Sequence, residues 1–213
     1  MVIKAVIFDI DGVLVDSFDA NLKFIQNIFK KAGRKPITKT QYKKDGFHRP
    51  LKDVIRIFGQ CKNEKDVEDI FLLTRKVKYP KDLYKFPPHL QDTIKIISRS
   101  YKLAVVTSRS KIGTEEVLRY SETGKYFPIV VHYGQYKNPK PHPEPLWLAA
   151  KRLKIKPSEI VYIGDSLTDI QAAKAAGMKI ILFSRKIING VDEKTTKFVE
   201  LPRLIARLNS DRK

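Results

Sequence analysis

Short apolar runs recur along this chain, and stretches with helical periodicity separate them. Five runs rich in β-branched residues are predicted strands: Ile3–Phe8, Leu103–Thr107, Ile129–His132, Ile160–Gly164 and Ile180–Phe183. None alternates apolar with polar residues, which is typical of parallel strands covered on both faces. Helical patterns separate them at about residues 89–100, 110–122, 143–153 and 166–176. This order predicts an α/β fold, a doubly wound, Rossmann-like parallel sheet with its site at the carboxyl ends of the strands.

Residues 17–86 interrupt this alternation with helical patterns and no convincing strand. The first helix presents one apolar face, made of Phe18, Leu22, Ile25, Ile28, Phe29 and Ala32. Leu51–Phe58 is a second predicted helix, and a third is predicted from Asn63 to about Tyr79. We therefore expect a small inserted α-helical cap at 17–86 and a catalytic core built from 1–16 and 87–213. Residues 184–213 are expected to form a loop and a terminal helix.

The formal net charge of +19 over 213 residues is the unusual feature of the composition. Residues 17–88 hold 18 Lys and Arg against 8 Asp and Glu, so the cap is more densely basic than the rest. A basic balance favours anionic partners such as phosphorylated metabolites or nucleic acid, although a solvated lysine-rich surface is an equal alternative. Cys61 is the only cysteine, which fits a reducing cytoplasmic location. No apolar run has the roughly 20 residues of a membrane span, so no membrane partner is expected.

Two carboxylates directly follow the first apolar run, in Asp9-Ile-Asp11-Gly12. Burying both without partners would be costly, and a bound divalent cation would remove that cost and shield Asp9 for attack on a phosphate. Asp11 is then placed to protonate a leaving oxygen and later to deprotonate water. The motif taken alone also fits an ordinary capped turn.

Polar residues end three later strands as well. The hydroxyl of Thr107 suits phosphate oxygens, as do backbone N–H groups beside it. Lys140 stands between two prolines, which restrict its backbone, and it is placed to neutralise both a phosphate and Asp9. Asp165 and Asp169 open the helix after the fourth strand and suit Mg²⁺, although Asp165 or Ser166 could equally cap that helix.

This ordered set of strand-end residues resembles the haloacid-dehalogenase-like superfamily. The matching segments are Phe8–Ser17 (FDIDGVLVDS), Val105–Arg109 (VVTSR), Asn138–Pro143 (NPKPHP) and Tyr162–Ser166 (YIGDS). The chain looks most like the branch of phosphoglycolate phosphatases and β-phosphoglucomutases, which carry a helical cap between the first two motifs. The resemblance covers nearly all of residues 1–185.

The resemblance implies a Mg²⁺ cofactor held by Asp9, Asp11 through its backbone carbonyl, Asp165 and Asp169. It also implies that Asp9 becomes an aspartyl-phosphate and that Asp11 is the general acid and base. Thr107 and Lys140 would hold the phosphate. Dehalogenases of this superfamily lack an acid at the position of Asp11, so its presence favours a phosphatase or a phosphomutase.

Substrate-binding residues are expected in two loops. Ser108 and Arg109 follow Thr107 in the second motif. His48 and Arg49 lie in Gly46–Pro50, which resembles the family's cap loop that reaches into the active site. An ordinary exposed loop is an equal alternative there, since loops are exposed and variable in general.

The first functional hypothesis is a Mg²⁺-dependent phosphatase acting on a small, phosphoglycolate-like monoester. A phosphomutase, or a hydrolase of nucleotides or pyrophosphate, is the enzymatic alternative. Asn21 argues against a mutase, because β-phosphoglucomutases usually carry His there. A nucleic-acid-binding protein, or a phosphatase of nucleic-acid ends, is the alternative of another class. It is less favoured because no recognised nucleic-acid-binding motif is present.

Overall fold

The computed structural model describes residues 2–47 and 49–210. The chain divides into two compact units. The core unit is Met1–Asp16 with Phe86–Lys213, and the cap unit is Ser17–Lys85. These limits differ by one residue from the expected ones, because Phe86 falls in the core unit.

The core unit contains a parallel sheet with the strand order β3-β2-β1-β4-β5-β6. Its strands are β1 (Ala5–Phe8), β2 (Lys102–Val106), β3 (Ile129–Val131), β4 (Ile160–Gly164), β5 (Lys179–Phe183) and β6 (Glu193–Thr195). In the central strand, Phe8 is in register with Val105 of β2 and with Ile163 of β4. The carboxyl ends of these three strands therefore lie side by side at one edge of the sheet. This topology confirms the predicted α/β, doubly wound fold.

Helices connect the strands of the core and make up most of the cap. They are α1 (Phe18–Lys31), α2 (Lys39–Gln41), α3 (Leu51–Phe58), α4 (Glu64–Leu72), α5 (Leu90–Ser98), α6 (Lys111–Tyr120), α7 (Glu144–Leu153), α8 (Leu167–Ala176) and α9 (Leu201–Ser210). Helix α8 ends at Gly177, whose φ of 75° is readily adopted by glycine at a helix terminus. Among the described residues, no helix is both long enough and apolar enough to cross a membrane.

Two predicted elements differ from the structure. Strand β6 lies in the segment that was expected to be a loop. It was not predicted because its three residues, Glu-Lys-Thr, form no apolar run. The third cap helix was expected to reach about Tyr79, but α4 ends at Leu72 and a 3₁₀ turn covers Leu73–Lys76. Val77 is already extended, with φ −119° and ψ 121°, and Pro80 follows shortly. A β-branched residue close to a proline disfavours continuation of a helix.

The cap unit has a small apolar core of its own. Helix α1 buries one face, including Ile28 and Phe29, and this face belongs to the same cluster as Val54, Ile55 and residues of α4. Asn63 begins α4, and its side chain accepts a hydrogen bond from the Asp66 backbone N–H at 2.9 Å. The predicted start of this helix at Asn63 is therefore confirmed. The Asn63 side chain satisfies one of the N–H groups in the first turn that have no partner within the helix.

Candidate active site

The loop after β1 places Asp9 at the carboxyl edge of the sheet. The Asp9 backbone N–H donates to the Ile163 carbonyl at 2.9 Å, which extends the pairing of β1 with β4 by one residue. The Asp9 side chain is buried, and its Oδ1 accepts the backbone N–H of Ile10 at 2.8 Å. Gly12 turns the chain with a φ of +77°, and a Cβ at this position would collide with the Asp165 carboxylate. The glycine therefore permits both the turn and the approach of Asp165 to the loop.

Lys140 forms the centre of a buried charge cluster. Its Nζ lies 3.0 Å from Asp9 Oδ2, 2.7 Å from Asp169 Oδ1 and 3.0 Å from the Tyr162 hydroxyl. These three contacts match the three donors of an ammonium group. Burial alone would lower the pKa of Lys140, but the carboxylates of Asp169 and Asp9 raise it well above its usual value. Lys140 is therefore a fixed positive charge beside Asp9.

Asp169 is held at the start of α8 by a reciprocal capping arrangement. The Asp169 N–H donates to Ser166 Oγ at 3.3 Å, while Asp169 Oδ2 accepts the Ser166 N–H at 3.2 Å and its hydroxyl at 2.6 Å. Burial would raise the pKa of Asp169, but Lys140 and the hydrogen bonds from Ser166 and Tyr162 lower it. Both readings of this motif therefore apply: Ser166 caps the helix, and the two acids lie at the site.

Three carboxylates meet at this edge of the sheet. Asp9, Asp165 and Asp169 each offer an oxygen, and these oxygens lie within 4.8 Å of one another. Burial raises the pKa of Asp9 to about 7, although Lys140 opposes this rise. Burial, with Asp169 and Asp9 nearby, raises the pKa of Asp165 well above its usual value. One ammonium for three close carboxylates leaves excess negative charge, and hard oxygen ligands at this spacing fit Mg²⁺.

The loop after β2 brings the second motif to the same edge. Thr107 is buried, and its N–H donates to the Val131 carbonyl at 2.9 Å. Its own carbonyl accepts the Tyr136 hydroxyl at 3.2 Å, and its Oγ1 accepts the Arg109 N–H at 3.2 Å. Ser108 is exposed in this loop. Thr107 thus stays fixed while Ser108 faces solvent, as suits a loop that receives a ligand.

Arg109, which was expected to contact substrate, is paired with Asp11 in this structure. Its Nε donates to Asp11 Oδ2 at 2.8 Å, and its Nη2 donates to Asp11 Oδ1 at 2.6 Å. A guanidinium fork on both oxygens of one carboxylate is the strong, geometrically specific form of this ion pair. The predicted general acid therefore has a partner that the sequence did not reveal.

The expected cap residues lie in the other unit. His48 is outside the described residues. Arg49 is exposed, and its Nε donates to the Asp45 carbonyl at 2.8 Å. Asn21, where a mutase would carry His, donates to Ser17 Oγ at 3.1 Å and accepts the Tyr79 hydroxyl at 2.6 Å. Asn21 is thus part of the cap's own hydrogen-bond network.

Sequence reasoning missed Tyr162. This residue of β4 is fully buried, and its hydroxyl donates to Asp169 Oδ1 at 2.8 Å. The Tyr162 hydroxyl oxygen also accepts a hydrogen bond from Lys140 Nζ. A tyrosine inside an otherwise apolar, fully covered strand must find a partner for its O–H, and this was the available signal.

Comparison with known proteins agrees with this architecture. The model of the family "Haloacid dehalogenase-like hydrolase" matches residues 6–183. A phosphoglycolate phosphatase of Salmonella choleraesuis is 42% identical over 91 residues, which is 42% of this chain and 36% of that protein. The matched part thus spans about a third of the length of that phosphatase.

Two other relatives match over more of their length. A "Phosphorylated carbohydrates phosphatase" of Thermotoga maritima is 31% identical over 187 residues, covering 84% of this chain and 83% of that protein. The crystal structure of a HAD-superfamily hydrolase, subfamily IA, from Geobacter sulfurreducens has a TM-score of 0.76 and 29% identity. That comparison covers 95% of this chain and 96% of the other. Because the family model spans all four motifs, from Asp9 to Asp169, the chain belongs to the haloacid dehalogenase-like hydrolase family.

Proposed function

We propose that the protein is a Mg²⁺-dependent phosphatase that hydrolyses a small phosphate monoester through an aspartyl-phosphate on Asp9. The observation that carries this proposal is the cluster around Asp9. A buried carboxylate lies 3.0 Å from the ammonium of Lys140 and close to Asp165 and Asp169. The carboxylate, the fixed cation and the acidic pair are the groups that phosphoryl transfer to an aspartate needs.

In the proposed first step, an Asp9 oxygen attacks phosphorus, and the bond from phosphorus to the ester oxygen breaks. Asp11 gives its proton to the departing oxygen, so that the product is a neutral alcohol. In the second step, water attacks the phosphorus of the aspartyl-phosphate while Asp11 takes up a proton. The bond to Asp9 breaks, phosphate leaves, and both carboxylates return to their starting state.

The residues around Asp9 would lower the barrier electrostatically. Lys140 offsets the repulsion between the Asp9 carboxylate and an incoming anionic phosphate. Thr107 and the N–H groups of its loop would hold the oxygens that do not transfer. Asp9, Asp165 and Asp169, with the backbone carbonyl of Asp11, would bind Mg²⁺. When bound, this ion supplies further positive charge at the phosphate and balances the three carboxylates.

The substrate proposed is a short acidic phosphate, similar to phosphoglycolate. The phosphatases of Salmonella choleraesuis and Thermotoga maritima support a phosphate ester. Arg49, with His48, is proposed to recognise the end remote from the phosphate, since a guanidinium matches a carboxylate or phosphate. A cytoplasmic location is part of the same proposal, because a single cysteine, Cys61, fits a reducing compartment.

The test is a phosphatase screen of the purified protein over short phosphorylated metabolites, with Mg²⁺ and with EDTA. We expect release of inorganic phosphate that requires Mg²⁺ and disappears in Asp9→Asn. Turnover that persists in Asp9→Asn, or that EDTA leaves unchanged, would contradict the proposal.

The net charge of +19 favours one alternative, a phosphatase of nucleic-acid ends. Its affinity for DNA or RNA should fall steeply with salt, because binding releases counterions. Tight, salt-dependent binding, together with turnover confined to phosphorylated oligonucleotide ends, would favour this alternative over the small monoester.

A further inference from the structure

In this structure Arg109 engages both carboxylate oxygens of Asp11, the proposed general acid. Each of its carboxylate oxygens accepts one hydrogen bond from Arg109, at 2.8 and 2.6 Å. The Arg109 side chain is 11% exposed and that of Asp11 is 30% exposed, so this pair is partly shielded from water. To face a leaving oxygen, Asp11 must release at least one arm of the guanidinium fork.

Two hydrogen bonds fix the backbone of Arg109 independently of its side chain. Its N–H donates to Thr107 Oγ1 at 3.2 Å, and its carbonyl accepts the Tyr133 N–H at 2.8 Å. An exchange of partners therefore needs side-chain rotation and no movement of the loop. A guanidinium fork binds a carboxylate or a phosphate with the same two parallel hydrogen bonds. A second anion can thus take the place of Asp11 on the fork.

We propose that Arg109 is a specificity-determining residue that exchanges Asp11 for an anionic group on the substrate. A substrate with a second anion near its scissile phosphate draws the fork away and frees Asp11 for the leaving oxygen. A substrate whose alcohol is neutral has no second anion to bind the guanidinium, and Asp11 stays paired with Arg109. This inference rests on the proposed function and deepens it, because it names the substrate class: phosphate monoesters whose alcohol carries a carboxylate or a second phosphate.

The geometry also limits the distance between the two anionic groups. The fork lies one hydrogen bond from Asp11, and Asp11 must come within one hydrogen bond of the leaving oxygen. The second anion lies one further hydrogen bond from the fork, so three contacts of about 3 Å place it within roughly 9 Å of the ester oxygen. Anions one to three bonds from that oxygen meet this limit, whereas a carboxylate at the far end of a rigid biphenyl spacer exceeds it.

The experiment compares kcat/KM for 2-phosphoglycolate and ethyl phosphate, which differ by a carboxylate in place of a methyl group. Wild type should prefer 2-phosphoglycolate by at least about 10-fold, the effect of one charge-assisted hydrogen bond. In Arg109→Met the ratio should fall by about 10-fold, and any preference that remains is the contribution of Arg49. Arg109→Lys keeps the charge without the fork and should give an intermediate ratio. Arg203→Met, which removes an exposed arginine of α9, is the matched control and should keep the wild-type ratio.

Three further substrates make the test independent of variant folding. With wild type alone, 4′-(phosphonooxy)biphenyl-4-carboxylate should show no advantage over biphenyl-4-yl phosphate, because its rigidly held carboxylate lies beyond the reach of the fork. Ethylene glycol bisphosphate distinguishes the anions: a higher kcat/KM than for 2-phosphoglycolate identifies a second phosphate as the preferred group, and a lower one identifies the carboxylate.

The outcomes separate this inference from the proposed function. Mg²⁺-dependent hydrolysis of both substrates with a ratio near one in wild type would overturn the role of Arg109 and leave the phosphatase intact. An unchanged ratio in a folded Arg109→Met would do the same. Absence of phosphate release from every monoester would instead refute the proposed function.

Discussion

We expect Asp9→Asn to change the pH dependence of folding stability in the metal-free protein, in addition to abolishing turnover. Burial raises the pKa of Asp9 from 3.8 to about 7 in the folded chain. Between these values the unfolded chain has lost this proton while the folded chain keeps it. The stability that Asp9 contributes is therefore complete below about pH 3.8 and is lost as the pH rises through about 7. A pKa difference of this size corresponds to about 4 kcal/mol.

Asparagine has a similar shape and does not titrate, so the variant lacks this loss. The free energy of unfolding of wild type, minus that of Asp9→Asn, should fall by up to about 4 kcal/mol between about pH 4 and pH 8. Urea denaturation in EDTA at several pH values measures this difference. Asp69→Asn, at an exposed position of α4, is the matched control for replacing a carboxylate by an amide.

Adding Mg²⁺ tests the same reasoning from the opposite side. A cation that binds only the folded state stabilises it by about 2.7 kcal/mol at 100 times its Kd. Wild type should gain more than Asp9→Asn at pH 8, because the variant lacks one charged ligand. A difference in stability that is independent of pH in EDTA, or an equal gain from Mg²⁺ in both proteins, would refute the electrostatic account of Asp9.

Three further substitutions test the surroundings of the site. Tyr162→Phe should lose about 1–3 kcal/mol of stability in urea denaturation, because the hydroxyl between Lys140 and Asp169 is buried. If this hydroxyl also positions Lys140, kcat should fall, and a change in KM with kcat unchanged would argue against that role. Asp165→Ala should raise the Mg²⁺ concentration needed for half-maximal activity while unfolding changes little, and an unchanged requirement would remove it from the metal site. Arg49→Ala should raise KM for the best substrate with DNA binding still weak at physiological salt, and unaltered kinetics would remove Arg49 from the substrate site.

The central strands of the sheet could be predicted because they are buried on both faces. Residues of β1 and β4 have no alternating pattern to misread, and their apolar runs end where the strands end. Strand β6 lies at the sheet edge and needs no apolar run, so its polar sequence carried no signal. Trp147 of α7 shows that a helical spacing typical of core packing does not ensure burial: it is 47% exposed, and its indole N–H donates to the Ala176 carbonyl at 3.3 Å.

The meeting of the site residues could be predicted from topology alone. Parallel strands in register bring their carboxyl ends to one edge, so Asp9, Thr107 and Asp165 had to lie near one another. Side-chain pairing could not be predicted in this way. Arg109 and Asp11 are 98 residues apart in sequence, and only the rotamers of two side chains decide that they pair. Both residues were predicted to lie at the site, but nothing in the sequence indicated that Arg109 would bind Asp11.

The two acids of the fourth motif illustrate the same limit. They look alike in sequence, but Asp169 accepts hydrogen bonds from Lys140 and Tyr162 on one oxygen, and from Ser166 and the Asp165 N–H on the other. Within the described part of the chain, the Asp165 carboxylate accepts no hydrogen bond from another residue. Asp169 is thus saturated by protein donors and stays charged without a metal, which suits it to fix Lys140. Asp165 has its oxygens available, and only a cation can stabilise its charge so close to Asp9 and Asp169. The hydrogen bonds around each acid, and not its place in the motif, therefore favour Asp165 over Asp169 as the stronger metal ligand.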